Sequence, residues 1–146
     1  MVAVWSDPGG AGGGGASALF EARLGRETFG KEVHLCAPAY RADEMEELLD
    51  NADHMIFNSL SQWRQFRPSV QKRGGRVEAG LRLNPRHSEV KTAIYDPCGP
   101  GSRLGIPPAG FQDCRPEDLE GVSGFHFHTL CEQNADALIE TLAAFE

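Results

Sequence analysis

Short strand-like runs alternate with stretches of helical period along most of this chain, and that alternation restricts its fold more than any other feature. Val33 to Cys36, His54 to Phe57, Val77 to Leu83 and Val122 to His128 are runs of strand length and strand character. Between and around them lie helical patterns. Ser17 to Arg26 reads as a helix ending near Gly25 or Gly30. Asp43 and Glu46 have the spacing of a capping box, opening a helix with Met45, Leu48 and Leu49 turned inward. Ser59 and Gln62 repeat that spacing at the head of a helix predicted to stop at Pro68. Pro116 opens a short helix. From Asn134 to Phe145 a last helix carries Ala135, Leu138, Ile139 and Leu142 on one face. The order βαβαβ, a long connection and βα is that of a parallel sheet covered by helices. It fits an open doubly wound sheet or part of a (βα)8 barrel. Taken alone, 146 residues favour the open sheet, because a closed barrel needs roughly 250.

Two segments stand outside this rhythm. Val2 to Trp5 reads as a short strand, and Asp7 to Gly15 is almost all glycine. Gly10 to Gly15 formally satisfies the dinucleotide fingerprint GxGxxG, but a polyglycine run satisfies any glycine spacing. The acidic residue which that fingerprint requires is also lacking: the strand Glu32 to Cys36 runs into Cys36-Ala37-Pro38. Residues 1–16 are therefore expected to be a flexible, Gly-rich N-terminal segment. The connection from Asn84 to Cys114 is rich in Pro and Gly, and it is longer than structureless connections in compact domains, as functional loops are.

A net charge of −7 argues against nucleic acid as a partner. The basic run Arg64, Arg67, Lys72, Arg73 and Arg76 is expected to be a solvated surface around a helix end. No apolar run has membrane-spanning length and the N-terminus has no signal-peptide core, so no membrane partner is expected. Cys36, Cys98, Cys114 and Cys131 contain no CxxC pair; they read as reduced thiols, pointing to the cytoplasm.

The residues with chemical potential gather at strand ends. His126 and His128 lie on one side of a strand, and Cys131 and Glu132 follow just before the closing helix, where α/β proteins build their sites. A Zn-binding protein using His126, His128 and Cys131 is one reading; it would need a further ligand such as Cys98 or Cys114. A doubly wound phosphate- or nucleotide-binding module using Gly9 to Gly15 is another. Neither GxSxG nor an evident base for Cys131 supports a covalent hydrolase. Arg82, at the end of a strand, and Arg103, in a glycine-flanked turn, offer guanidinium forks suited to a carboxylate, a phosphate or an aromatic hydroxyl oxygen.

Five strings in this chain occur in the same order in another group of proteins. They are Glu21-Ala22-Arg23-Leu24-Gly25, Ile56-Phe57-Asn58-Ser59 with Ser61-Gln62, Leu81-Arg82-Leu83-Asn84-Pro85, Ser102-Arg103-Leu104-Gly105 and Phe127-His128-Thr129-Leu130-Cys131-Glu132. On them the chain, from about Ala16 to Glu146, resembles the carboxynorspermidine/carboxyspermidine decarboxylases, pyridoxal-phosphate (PLP) enzymes of the alanine racemase and ornithine decarboxylase fold type. The resemblance implies a cytoplasmic lyase of polyamine and spermidine biosynthesis that removes carbon dioxide from a small carboxylated polyamine precursor. It also implies PLP as electron sink, a PLP-binding TIM barrel joined to a β domain, and a homodimer with shared sites. By that resemblance His128 stacks on the cofactor ring, Arg82 and Arg103 lie against cofactor or substrate, and Glu21 supports the charged groups there. Cys131 and Glu132 match the substrate-binding motif. No metal ligand is implied. The Schiff-base lysine of such enzymes lies on the first barrel strand, and Lys31, Lys72 and Lys91 match no such position. Residues 17–146 are therefore expected to form about five of eight barrel units without the β domain, an incomplete and inactive part of the enzyme.

Overall fold

The computed structural model describes residues 2–5, 13–112, 114–130 and 133–144. Its centre is a six-stranded sheet in the order β1-β6-β5-β4-β3-β2. The strands are β1 (Val2–Trp5), β2 (Gly14–Ala16), β3 (Val33–Cys36), β4 (His54–Phe57), β5 (Glu78–Arg82) and β6 (Val122–Phe127). Strands β2 to β6 are parallel and adjacent in chain order, whereas β1 lies antiparallel on the far edge, Val2 opposite Phe127. The helices are α1 (Leu19–Leu24), continued by a π turn over Gly25–Phe29, then α2 (Met45–Asn51), α3 (Leu60–Gln71) and α4 (Ala135–Ala143).

Alternation along the strands separates two faces. Val33, Leu35, Met55, Phe57, Ala79 and Leu81 point one way and form the core with Ala22 of α1, Leu48 and Leu49 of α2, and Trp63, Phe66 and Val70 of α3. Phe57 anchors it, its ring 5.2 Å from that of Trp63 and 5.8 Å from Tyr40. Fully burying a side chain such as that of Phe57 contributes about 1.5–3 kcal/mol. His34, Cys36, His54, Ile56, Glu78, Gly80, Arg82, Gly124 and His126 alternate onto the other face. Sequential strand order with the core helices on one face is the winding of a barrel wall. A doubly wound sheet reverses its strand order and places helices on both faces. The open-sheet alternative is thereby corrected: five parallel strands of a barrel wall are present, four of them followed by an α-helix and β5 by the long connection. The glycine phosphate loop falls with it: β1, which should have been central, is an edge strand, and Gly14–Ala16 are themselves a strand. Gly9 to Gly12 lie outside the described residues, as do residues 1 and 6–8 of the segment 1–16.

Several local expectations differ from the structure. Pro68 lies inside α3, which runs on to Gln71, because a proline deletes only one helical hydrogen bond and the turn beyond it closes through Lys72 N–H to the Pro68 carbonyl. At α3 Ser59 Oγ accepts from Gln62 N–H, but the Gln62 side chain accepts from Asn58 N–H, one residue earlier than in a reciprocal box. Asp43 does not cap α2; its carboxylate is held by Arg41. In α4 the buried residues are Ala137 and Thr141, one turn apart, while Ile139 and Leu142 face outward. The arginines of the basic run around α3 are paired: Arg64 with Asp118 at 2.7 Å, Arg67 with Glu120, Arg73 with Glu46 and Asp50, and Arg76 with Asp50 at 3.5 Å. Among the described residues no helix is long and apolar enough to cross a membrane.

Candidate functional site

The C-terminal ends of β3 to β6 bring together Cys36, Asn58, Arg82 and His126 with the connection between β5 and β6. Tyr40 fixes this rim. Its hydroxyl reaches the carbonyls of Leu35 at 3.2 Å and Ile56 at 2.7 Å and accepts from Ala37 N–H, tying the ends of β3 and β4 together. Burial pushes the phenol far above its usual pKa, so it remains a neutral hydrogen-bonding post.

Arg82 is the last residue of β5 and sits opposite His126 in the ladder. It is 8% exposed, and no carboxylate among the described residues lies within ion-pair distance of it. Burial lowers its pKa, partly offset by the Cys36 and Cys98 thiols, yet a guanidinium keeps its charge. A buried cation without an anion is costly, and such a group calls for an anionic or electron-rich oxygen. His126 is 1% exposed; its Nδ1 stands 3.9 Å from Cys36 Sγ, and its Nε2 has no hydrogen-bond partner among the described residues. Burial, reinforced by the charge of Arg82 and by His128, depresses its pKa to about 3, so the imidazole is neutral. Burial also raises the Cys36 thiol, which stays protonated. His128 lies just past β6 with an exposed ring, its centroid 6.4 Å from that of His126. Partial burial and Arg82 hold it below the ordinary histidine pKa.

Two asparagines build the loop over this rim, and sequence reasoning missed both as functional residues. Asn58, just beyond β4, donates from Nδ2 to the Arg103 carbonyl at 2.7 Å and accepts Gly105 N–H at 2.9 Å. Asn84, 2% exposed, donates to the Leu104 and Pro97 carbonyls and accepts Arg86 N–H. Backbone bonds from Ile106 N–H to the Arg82 carbonyl and from Asn84 N–H to the Ile106 carbonyl complete the attachment. Gly105 has φ +83°, and a Cβ there would stand 2.8 Å from the Leu83 carbonyl carbon, so only glycine fits. The signal was present in the sequence as asparagines placed just after two strand runs.

The predicted site residues divide. Arg82 and His128 meet at one rim. Arg103 is exposed on the same loop, bound by its backbone to Asn58, in a turn bordering an open hollow of about 470 Å³ with Asp96 and Ser102. Glu21 is exposed on α1, where its carboxylate accepts from Ser17 N–H and Oγ at 2.6 and 2.7 Å; these bonds lower its pKa. Cys131 and Glu132 lie outside the described residues. Among the described residues, His126 and His128 belong to no group of three possible metal ligands; the third ligand of the Zn reading, Cys131, lies outside them. The groove of about 350 Å³ lined by Leu83, Pro85, Ile106 and Phe111 is apolar, and its Leu83 alternates away from the face of Arg82.

No protein-family model matches the chain. It is 46% identical over 134 residues to the carboxyaminopropylagmatine decarboxylase of Synechocystis sp., an alignment covering 92% of this chain and 33% of that protein. It is 40% identical over 130 residues to the carboxynorspermidine/carboxyspermidine decarboxylase of Campylobacter jejuni, covering 89% and 32%. The corresponding protein of Herminiimonas arsenicoxydans is 34% identical over 129 residues, covering 85% and 33%. The crystal structure of the Campylobacter jejuni carboxynorspermidine decarboxylase complexed with norspermidine superposes with a TM-score of 0.76 at 36% identity, covering 92% of this chain and 32% of that one. The chain thus spans about a third of the length of the curated relatives it matches.

Proposed function

We propose that this chain, a homologue of one third of the carboxynorspermidine decarboxylases, forms part of the barrel wall of a carboxy-lyase acting on a carboxylated aminopropyl polyamine. Residues 17–146 are that wall, in an enzyme of polyamine biosynthesis working in the cytoplasm with its thiols reduced and as a dimer. The names of the relatives widen the substrate class, since one acts on carboxyaminopropylagmatine and others on carboxynorspermidine or carboxyspermidine. The observation that carries the reading is Arg82, a buried guanidinium without a carboxylate partner among the described residues, beside neutral His126 at the C-terminal ends of parallel strands.

The residues present fit one side of a pyridoxal phosphate site and not its anchor. His128 offers an exposed ring for stacking, Arg82 a fork for an oxygen of the ring, and the Nε2 of His126, without a hydrogen-bond partner among the described residues, a further polar contact. When bound, the cofactor supplies an electron sink for decarboxylation. The lysines do not match the Schiff-base position: Lys31 precedes β3, Lys72 follows α3, and Lys91 lies in the connection after β5. No chemical step is assigned to this chain; its residues orient and shield. Cys131 and Glu132 are proposed to face the substrate, and Arg103 the cofactor or substrate from the loop.

Equilibrium binding of pyridoxamine phosphate, which has no aldehyde, tests the wall without the lysine. Saturable binding is expected, with Arg82→Gln and His128→Ala each weakening it about tenfold, as for a charge-assisted bond or a stacking contact. Equal binding by both variants would overturn the assignment. With pyridoxal phosphate, borohydride is expected to leave no adduct; a single modified lysine would contradict the missing anchor.

A further inference from the structure

The face that carries Arg82 and His126 at its C-terminal end carries a second polar group at its N-terminal end, and the proposed function uses none of it. His34 and His54 are register partners on β3 and β4, and His54 and Glu78 are partners on β4 and β5. Glu32 precedes His34 by two residues, which in extended chain returns it to the same face. The two imidazoles lie side by side, centroids 4.4 Å apart and planes 6° from parallel. Glu32 Oε2 is 3.6 Å from His34 Nε2, and Glu78 Oε2 is 3.7 Å from His54 Nε2. One ligand atom from each of Glu32, His34 and His54 lies within 4.8 Å of the other two. Asp53, also close, is committed elsewhere: its carboxylate accepts Val33 N–H at 2.8 Å and Arg26 Nη2 at 2.9 Å.

We propose that Glu32, His34 and His54 bind a divalent transition-metal ion of the Zn²⁺ class at the N-terminal ends of β3 and β4. Two imidazole nitrogens and one carboxylate oxygen, with a fourth position open to water, are a donor set that Zn²⁺ accepts. Donors around tetrahedral zinc stand roughly 3.3 Å apart, so side-chain rotations of the order of 1 Å close the cluster without moving the strands. Glu78, beside His54, has the place of an outer carboxylate that orients a ligating ring. The bound ion cross-links two neighbouring strands and neutralises the carboxylates. The site is independent of the cofactor wall, which lies at the other end of the strands.

The test is a titration of the tag-free full chain with Co²⁺, followed by its ligand-field absorption, and with Zn²⁺, followed by calorimetry. One equivalent is expected to bind without a thiolate charge-transfer band and to raise the Tm. Glu32→Gln, at an exposed position, and His34→Gln are each expected to weaken binding tenfold or more, whereas His128→Gln leaves it unchanged. Circular dichroism checks that each variant is folded, and Glu32→Gln carries the test if His34→Gln is not. No saturable binding, a thiolate band, binding undiminished in Glu32→Gln, or binding lost in His128→Gln would each overturn the proposal.

Discussion

His126 shows how burial at a strand end becomes a dependence on pH. Its folded pKa of about 3 lies below the roughly 6.5 of an exposed histidine. Between those values the unfolded chain takes up a proton that the folded chain refuses, so stability falls as pH falls from about 6.5 towards 3. Replacing His126 with glutamine removes that contribution. Urea denaturation at a series of pH values should show the parent losing stability relative to His126→Gln on acidification, by up to about 1.4 kcal/mol per pH unit, the limit for one proton. His34 and His128, whose pKa values are also lowered, act in the same direction but are present in both proteins and cancel in the difference. Parallel stability curves would mean that the buried imidazole is charged in the fold.

Among the elements, the connection from Asn84 to Cys114 is held to the sheet by side chains at strand ends, so its integrity depends on few residues. Asn84→Ala removes donors to Leu104 and Pro97 and an acceptor for Arg86 from a buried position. It should cost about 1–3 kcal/mol. Gly105→Ala forces a side chain into positive φ against Leu83 and should cost a similar amount. Both should also open the loop to limited proteolysis, and cleavage rates unchanged from the parent would show that the loop is held by other contacts. How far such elements were legible depends on the range of the forces that make them. His54–Phe57 and Val33–Cys36 were readable residue for residue, because buried parallel strands announce themselves as short apolar runs between turns. Met45, Leu48 and Leu49 were readable as an inward face. The winding was not, since periodicity is silent on whether the next helix returns to the same side of the sheet. The inward face of α4 was misread because Ala137 and Thr141 allow close approach without being the most apolar residues of the helix. Arg82 and His128 could be placed at strand ends because those ends are explicit in the sequence; Asn58, Asn84 and the Glu32–His34–His54 cluster depend on register between strands or on contacts across dozens of residues.

At the scale of the whole molecule, the same sheet that builds a barrel wall leaves its flanks uncovered. β2 is one edge and the short antiparallel β1 the other, so among the described residues neither edge is closed into a barrel. The helices near those edges carry large apolar side chains in water: Phe20 (76% exposed) and Leu24 on α1, Phe29 in the π turn, and Ile139 (64% exposed) and Leu142 on α4. Exposed apolar surface grouped in this way drives association. The net charge of −7 opposes it only through a long-range repulsion that salt screens. The purified chain should therefore show a mass that rises with concentration and with ionic strength in light scattering after size exclusion. Ile139→Lys combined with Leu142→Lys should shift it towards the monomer, because neither side chain belongs to the buried core and their replacement leaves the sheet and its core helices intact. A monomer at every concentration and salt level would show that these faces are too dispersed to act together. Association of the parent that the double variant leaves unchanged would place the contact at the strand edges instead of the helices.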